Sequence, residues 1–134
     1  MKKILAVGMI VTALFAFGCG RNPQFGVVDM QKVETESEVF KNATKELQEK
    51  GKAAEESFKQ EIQGKSEDEQ KKIYTQKNNE MMTAKAEAQN KVKASFESAV
   101  SEVAKQKNLS AVLIKEAVPQ GGVDVTDDVI KAMK

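Results

Sequence analysis

The chain has 134 residues, 31% charged and 5% aromatic, so it holds at most one domain with a small apolar stock. It has no His, no Trp and a single Cys, which excludes disulfide frameworks, His/Cys metal clusters and Ser-His-Asp or Cys-His catalysis within one chain. A formal charge of +1 gives no reason to expect nucleic acid, and the aromatic platforms of single-strand binders are missing.

Residues 1–18 read as a secretory signal. Lys2 and Lys3 supply the positive start, and the apolar run from Ile4 to Phe17 is too short for a comfortable membrane span of about 20 residues. Ala16-Phe17-Gly18-Cys19 comes next, with a small residue directly before the only Cys. This resembles the bacterial lipobox, although Ala16 and Phe17 stand where Leu and a small residue are usual. The alternative is ordinary cleavage nearby with a stray thiol. The position of the lone Cys favours acylation at Cys19, with 19–24 as a linker and the body held to a membrane in water. Removing Lys2 and Lys3 from the 21 basic residues leaves 19 against 20 acidic ones, so the mature chain is nearly neutral.

Phe25-Gly26-Val27-Val28-Asp29 is a short β-branched run bounded by a turn former, which predicts a strand. Met30 to Glu34 leads in as a helical turn, with Thr35 or Ser37 as the cap of the long helix after it; Thr35 and Glu38 have capping-box spacing.

From Thr35 to Asn108 the pattern predicts one long helical hairpin. Outgoing apolar positions are Phe40, Ala43, Leu47, Ala54, Phe58 and Ile62, with Gly51 in register; returning ones are Ile73, Met81, Ala84, Ala88, Val92, Phe96, Ala99 and Val103. Steps of three, four and four repeat about every eleven residues, with a one-residue slip at Phe96, which keeps the stripe nearly straight. The stripe is narrow and flanked by charge, as suits two slender helices better than a helix set in a thick core. Gly64 can close the first helix in the left-handed region, and Ser66-Glu67-Asp68-Glu69 is a capping box that opens the second. Folding about this turn sets Gly51 against Met81. Gly51 is either a weak spot in the helix or a hinge partway along the arm. At about 1.5 Å per residue the arm extends on the order of 45 Å.

After Asn108 the character changes. Ser110 to Ile114 is an apolar run of strand length, Ala117-Val118 offers a second short strand, and Pro119 to Gly122 is a turn. Val123-Asp124-Val125 alternates as a half-exposed strand does. Thr126 is placed to cap a last helix from Asp127 to about Met133, with Val125 and Ile130 at the spacing of a hydrophobic staple.

The class is therefore α+β: a small strand-rich body made from the two chain ends, 25–34 and 109–134, with the hairpin 35–108 inserted as an arm. Those ends amount to fewer residues than a core usually needs to support itself without disulfides, metal or oligomerisation. Oligomerisation remains. The candidates for it are Val27, Val28, Val112, Leu113, Ile114, Val123, Val125 and Ile130, through strands of several copies sharing one core.

Two stretches carry a family resemblance: Phe25 to Val33 (FGVVDMQKV) and Gly121 to Lys134 (GGVDVTDDVIKAMK). They resemble the two ends of the Skp, or OmpH-like, family of periplasmic chaperones for outer-membrane proteins. Leu109 to Val118 matches the family's strand region, and the middle matches in kind, as a charged helical hairpin. The resemblance implies a homotrimer with three arms around a cavity for an unfolded client, holding it without ATP or any other cofactor. It places the protein in the periplasm of a diderm bacterium. The near-neutral charge and shorter arm depart from the strongly basic members, so long-range steering is weak here. Client-facing candidates are Tyr74, Met82, Phe40, Phe58, Met81 and Phe96. Seam packing accounts better for Phe40, Phe58, Met81 and Phe96, whereas Tyr74 and Met82 lie off the seam.

The leading expectation is thus a lipid-anchored holdase and not an enzyme. A structural coiled-coil lipoprotein acting as a spacer or adaptor, without clients, is the alternative. Acidic clusters at 67–69 and 127–128 sit where helix caps want them and do not argue for catalysis or a metal.

Overall fold

The computed structural model describes residues 24–134. The signal segment and Cys19 lie outside the described residues. The order is β1 (Phe25–Val28), α1 (Met30–Glu36), α2 (Glu38–Glu61), α3 (Glu67–Gln106), β2 (Ala111–Ile114), a 3₁₀ turn (Lys115–Ala117), β3 (Val123–Asp124) and α4 (Thr126–Ala132). Long helices dominate, with one small sheet: an α+β chain.

The sheet is parallel throughout, in the order β2-β1-β3. β1 runs through the middle, with Phe25 beside Ala111 and Val28 beside Ile114 on one side, and Gly26 beside Val123 on the other. Gly26 lets these layers close up, because a Cβ there would stand 2.9 Å from Leu109 Cδ1 and 3.1 Å from Val125 Cγ2. The expected strand at Ala117-Val118 does not form. The chain instead makes the 3₁₀ turn at 115–117, and Val118 stays extended and unpaired in the sheet.

Asp29 ends β1 and caps α1, its side chain accepting from the Lys32 amide at 3.1 Å. Thr35 therefore lies inside a helix and its hydroxyl donates back to the Gln31 carbonyl, so the Thr35–Glu38 capping box does not form. Ser37 alone is extended between α1 and α2, with φ −66° and ψ 128°. This one-residue break turns α1 down so that Val33 is fully buried, while α2 leaves the core.

α2 and α3 pack against each other, and their partners count down one helix as they count up the other. Gly51 meets Met81 and Phe58 meets Tyr74, so the pair is antiparallel, and the long Lys77 side chain reaches diagonally across it to Glu61. The reversal is local chemistry. Gly64 adopts φ +72°, and the capping box at Ser66 forms in both directions. At about 1.5 Å per residue, the 24 residues of α2 give ~36 Å and the 40 of α3 ~60 Å. α3 ends in a Schellman turn: Asn108 takes φ 53° and the Leu109 amide donates to the Ala104 carbonyl at 2.9 Å. The chain is thereby reversed into β2.

The core consists of Val28, Val33, Ala99, Val103, Val125, Val129 and Met133. The two chain ends do not build it alone, since Ala99 and Val103 come from the last turns of α3. α4 lies along that stretch, and the Lys134 amide and carbonyl both bond to Ser95 Oγ. Thr126 does not cap α4 with its own side chain. Its amide and hydroxyl donate to Asp124 Oδ1 at 3.0 and 2.6 Å, and its Oγ1 accepts from the Asp29 amide at 3.0 Å. This joins the end of β1 to the start of α4.

Candidate functional site

The helix pair presents three kinds of surface. The seam takes Phe40, Leu47, Gly51, Ala54 and Phe58 from α2, Ile62 from its C-cap, and Ile73, Met81, Ala84, Ala88, Val92 and Phe96 from α3, all half-buried. No residue of α2 is fully buried, and Ala99 and Val103 at the body end are the only ones in α3. Phe40, Phe58, Met81 and Phe96 are thus partly covered within the helix pair, and Phe40 and Phe96 also pack on the body core.

Tyr74 and Met82 are different. They are 63% and 64% exposed. Tyr74 stands edge-on to Phe58, ring centres 6.1 Å apart, so a small aromatic shelf reaches from seam to surface near the tip. Neither Tyr74 nor Met82 borders the main groove of the pair. That groove is lined by Ala53, Ala54, Ser57, Thr83 and Ala84 together with Lys50, Lys72 and Glu87. At 100° per residue, Tyr74 and Met82 fall on the opposite side of the seam from Gln76, Thr83 and Glu87.

One seam residue is not apolar. Lys77 continues the spacing from Ile73 to Met81, and its side chain is only 19% exposed. Cα–Cβ bonds tilt toward each helix's own N-terminus. Lys77 therefore leans toward the tip and Glu61 toward the body, and Nζ meets Oε1 at 2.9 Å. Ser57 donates to the same carboxylate. The Ser57 hydrogen bond first, and the Lys77 ammonium second, hold the Glu61 carboxyl below its usual range, while the Glu61 hydrogen bond raises Lys77. Hydrophobic spacing passes over Lys77 because its polar head hides a buried stem. The unbroken step 73-77-81 was the signal that could have found it. α2 itself runs without interruption through Gly51.

The body presents a further surface, the sheet. Leu113, Ile114 and Val123 are 43%, 49% and 42% exposed on strands whose outer edges have no neighbour among the described residues. The other positions named for oligomerisation sit deeper. Val28 and Val125 belong to the chain's own core, Val27 is buried, and Val112 and Ile130 pack against the core half-covered.

The acidic clusters are engaged in structure. Glu69 closes the capping box, Asp127 pairs with Lys32 at 2.7 Å, and Asp128 pairs with Lys107 at 3.0 Å. Among the described residues, no group of three or more His, Cys, Asp or Glu is placed to hold a metal ion. No helix among them is long and apolar enough to cross a membrane.

Comparison with protein families supplies what geometry alone does not. The family model described as outer membrane protein (OmpH-like) matches residues 24–133, which is both the body and the helix pair. The chain belongs to the OmpH-like family. No curated protein matches it. The OmpH-like, or Skp, family is periplasmic and of chaperone type, not enzymatic; its members bind outer-membrane proteins in general and form oligomers.

Proposed function

We propose that the protein is an ATP-independent holdase that shields unfolded outer-membrane proteins in the periplasm. The observation that supports this most is the helix pair itself. It carries exposed Tyr74 and Met82 on a charged, thinly packed scaffold without a fully buried residue in α2. Many weak apolar and polar contacts of that sort can hold a chain loosely and keep its strand edges from pairing with one another.

In this reading the helix pair is an arm, and Leu113, Ile114 and Val123 are covered by neighbouring copies. Three copies would complete one small body and set three arms around the client. Acylation at Cys19 would hold the assembly to a membrane, and Gly51 would let each arm flex. Tyr74 and Met82 are the first client contacts, with Phe58 behind Tyr74.

The test is a dilution assay. Denatured outer-membrane protein is diluted into buffer with the mature protein, and turbidity is followed. Suppression at stoichiometric amounts is expected. Its absence would leave the spacer or adaptor role as the better reading.

A further inference from the structure

We infer that the outer part of the helix pair, residues 51–62 and 67–81, is a separate low-stability unit that opens along its seam, and that Lys77 sets how readily it does so. Three observations carry this. At the body end α3 is anchored in the core by buried Ala99 and Val103, but farther out no seam residue is fully buried. At the boundary Gly51 offers Met81 no side chain, and the nearest approach of a Cβ there would be 3.9 Å. Directly beyond it Lys77 lies where the spacing calls for an apolar residue, beside Ala54, which contributes only a methyl group to the lining of the same groove.

Between Met81 and Ile73 the seam therefore has no apolar residue on α3, only the stem of Lys77. The gap is bridged by the Lys77–Glu61 pair, with Glu61 46% exposed. Such a pair is weak in water and weaker in salt. Segments with few buried contacts and one screened ion pair are those that open first in a native protein.

Opening uncovers Phe58, Ile73 and Met81 together. The closed surface shows a guest little more than Tyr74 and Met82, so the opened seam is the larger apolar surface. This second step rests on the holdase reading above; the opening itself does not.

Hydrogen exchange on the full mature protein, without client, tests the opening. Segments 51–62 and 67–81 are expected to exchange together, at least about tenfold faster than 84–106, with a step near Gly51 and Met81. Lys77→Leu restores the apolar seam and slows the outer segments by about tenfold, leaving 84–106 unchanged. Glu61→Gln, which leaves the ammonium only the longer 3.9 Å contact to Glu80 on its own helix, speeds them. Uniform protection, a smooth rise toward Gly64 with no step, or a Lys77→Leu variant no slower than wild type would overturn the inference. In the turbidity assay, loss of suppression by Lys77→Leu supports the opened seam as the client surface. Equal suppression by a variant with slowed exchange would overturn that step. No suppression by either protein, with the exchange step intact, would count against the holdase reading and leave the opening standing.

Discussion

Gly51 and Met81 face each other across the two long helices, and a Cβ built on Gly51 would lie 3.9 Å from Met81 Cε. That is an ordinary contact, so Ala fits without displacing anything. Gly51→Ala should stabilise α2 by about 1 kcal/mol, the usual difference in helix propensity. Native-state exchange of residues 47–58 reads the gain directly. If Gly51 also serves as a hinge, client release slows in the same variant; a stiffer helix with unchanged release would remove the hinge and keep the stability argument.

The turn of the helix pair was legible because its causes are local. Gly64, Ser66 and Glu69 lie within six residues, and each does there what its side chain dictates in isolation. The core was less legible. α3 carries one continuous stripe, but Ile73 to Val92 face α2 while Ala99 and Val103 face the body. A period of 3.6 residues says which face is covered, not by what. Thr126 shows the same limit. Its sequence neighbours suit a cap, but Asp29, 97 residues away, claims its oxygen. Tyr74 and Met82 could be read as exposed because a narrow stripe leaves no ambiguity about what lies outside it.

Leu113 and Ile114 point outward from an edge strand, whereas Val28, next to Ile114 in register, is buried. Charge on the two surfaces should therefore have different consequences. Leu113→Asp is expected to leave helix content intact and to shift the sedimenting species from oligomer to single chain. Val28→Asp should unfold the body, because an unpaired carboxylate in that core costs several kcal/mol. A wild-type protein that sediments as one copy at low concentration and melts cooperatively would remove the oligomer.

Gln24 is fastened to the body, its carbonyl accepting from both the amide and the hydroxyl of Ser110 at 2.8 Å. Five residues from Cys19 can span at most about 18 Å, so an acyl chain at Cys19 would hold the body against the bilayer. Cys19→Ala should abolish fatty-acid labelling in cells and release the protein from membrane pellets. Labelling that persists in this variant would rule out the anchor.

Asp124, Thr126 and Asp29 form the chain of hydrogen bonds that closes the body, and its polarity makes it sensitive to acid. Thr126 has one hydroxyl proton, which it gives to Asp124; its oxygen is thereby free to accept from the Asp29 amide. Those two donations from Thr126, hydroxyl first and amide second, hold the Asp124 carboxyl below its ordinary value near 3.8. Asp29 is held down as well, chiefly by the Lys32 amide, with Lys115 Nζ 3.4 Å away. A carboxyl whose folded value is depressed stabilises the fold above its unfolded value, and that contribution is lost as pH falls through the folded one. The body should therefore lose stability below about pH 4, with Lys32, Lys115 and Asp127 as the other charges around the site. Thr126→Val keeps the shape and the backbone donor, removes the hydroxyl donor to Asp124 and leaves the Asp29 amide without its partner. It should cost about 1–3 kcal/mol at pH 7. It should also flatten the acid limb of a stability-against-pH curve, because Asp124 then titrates nearer its unfolded value. An acid limb as steep as that of wild type would show that Asp124 is not the group responsible.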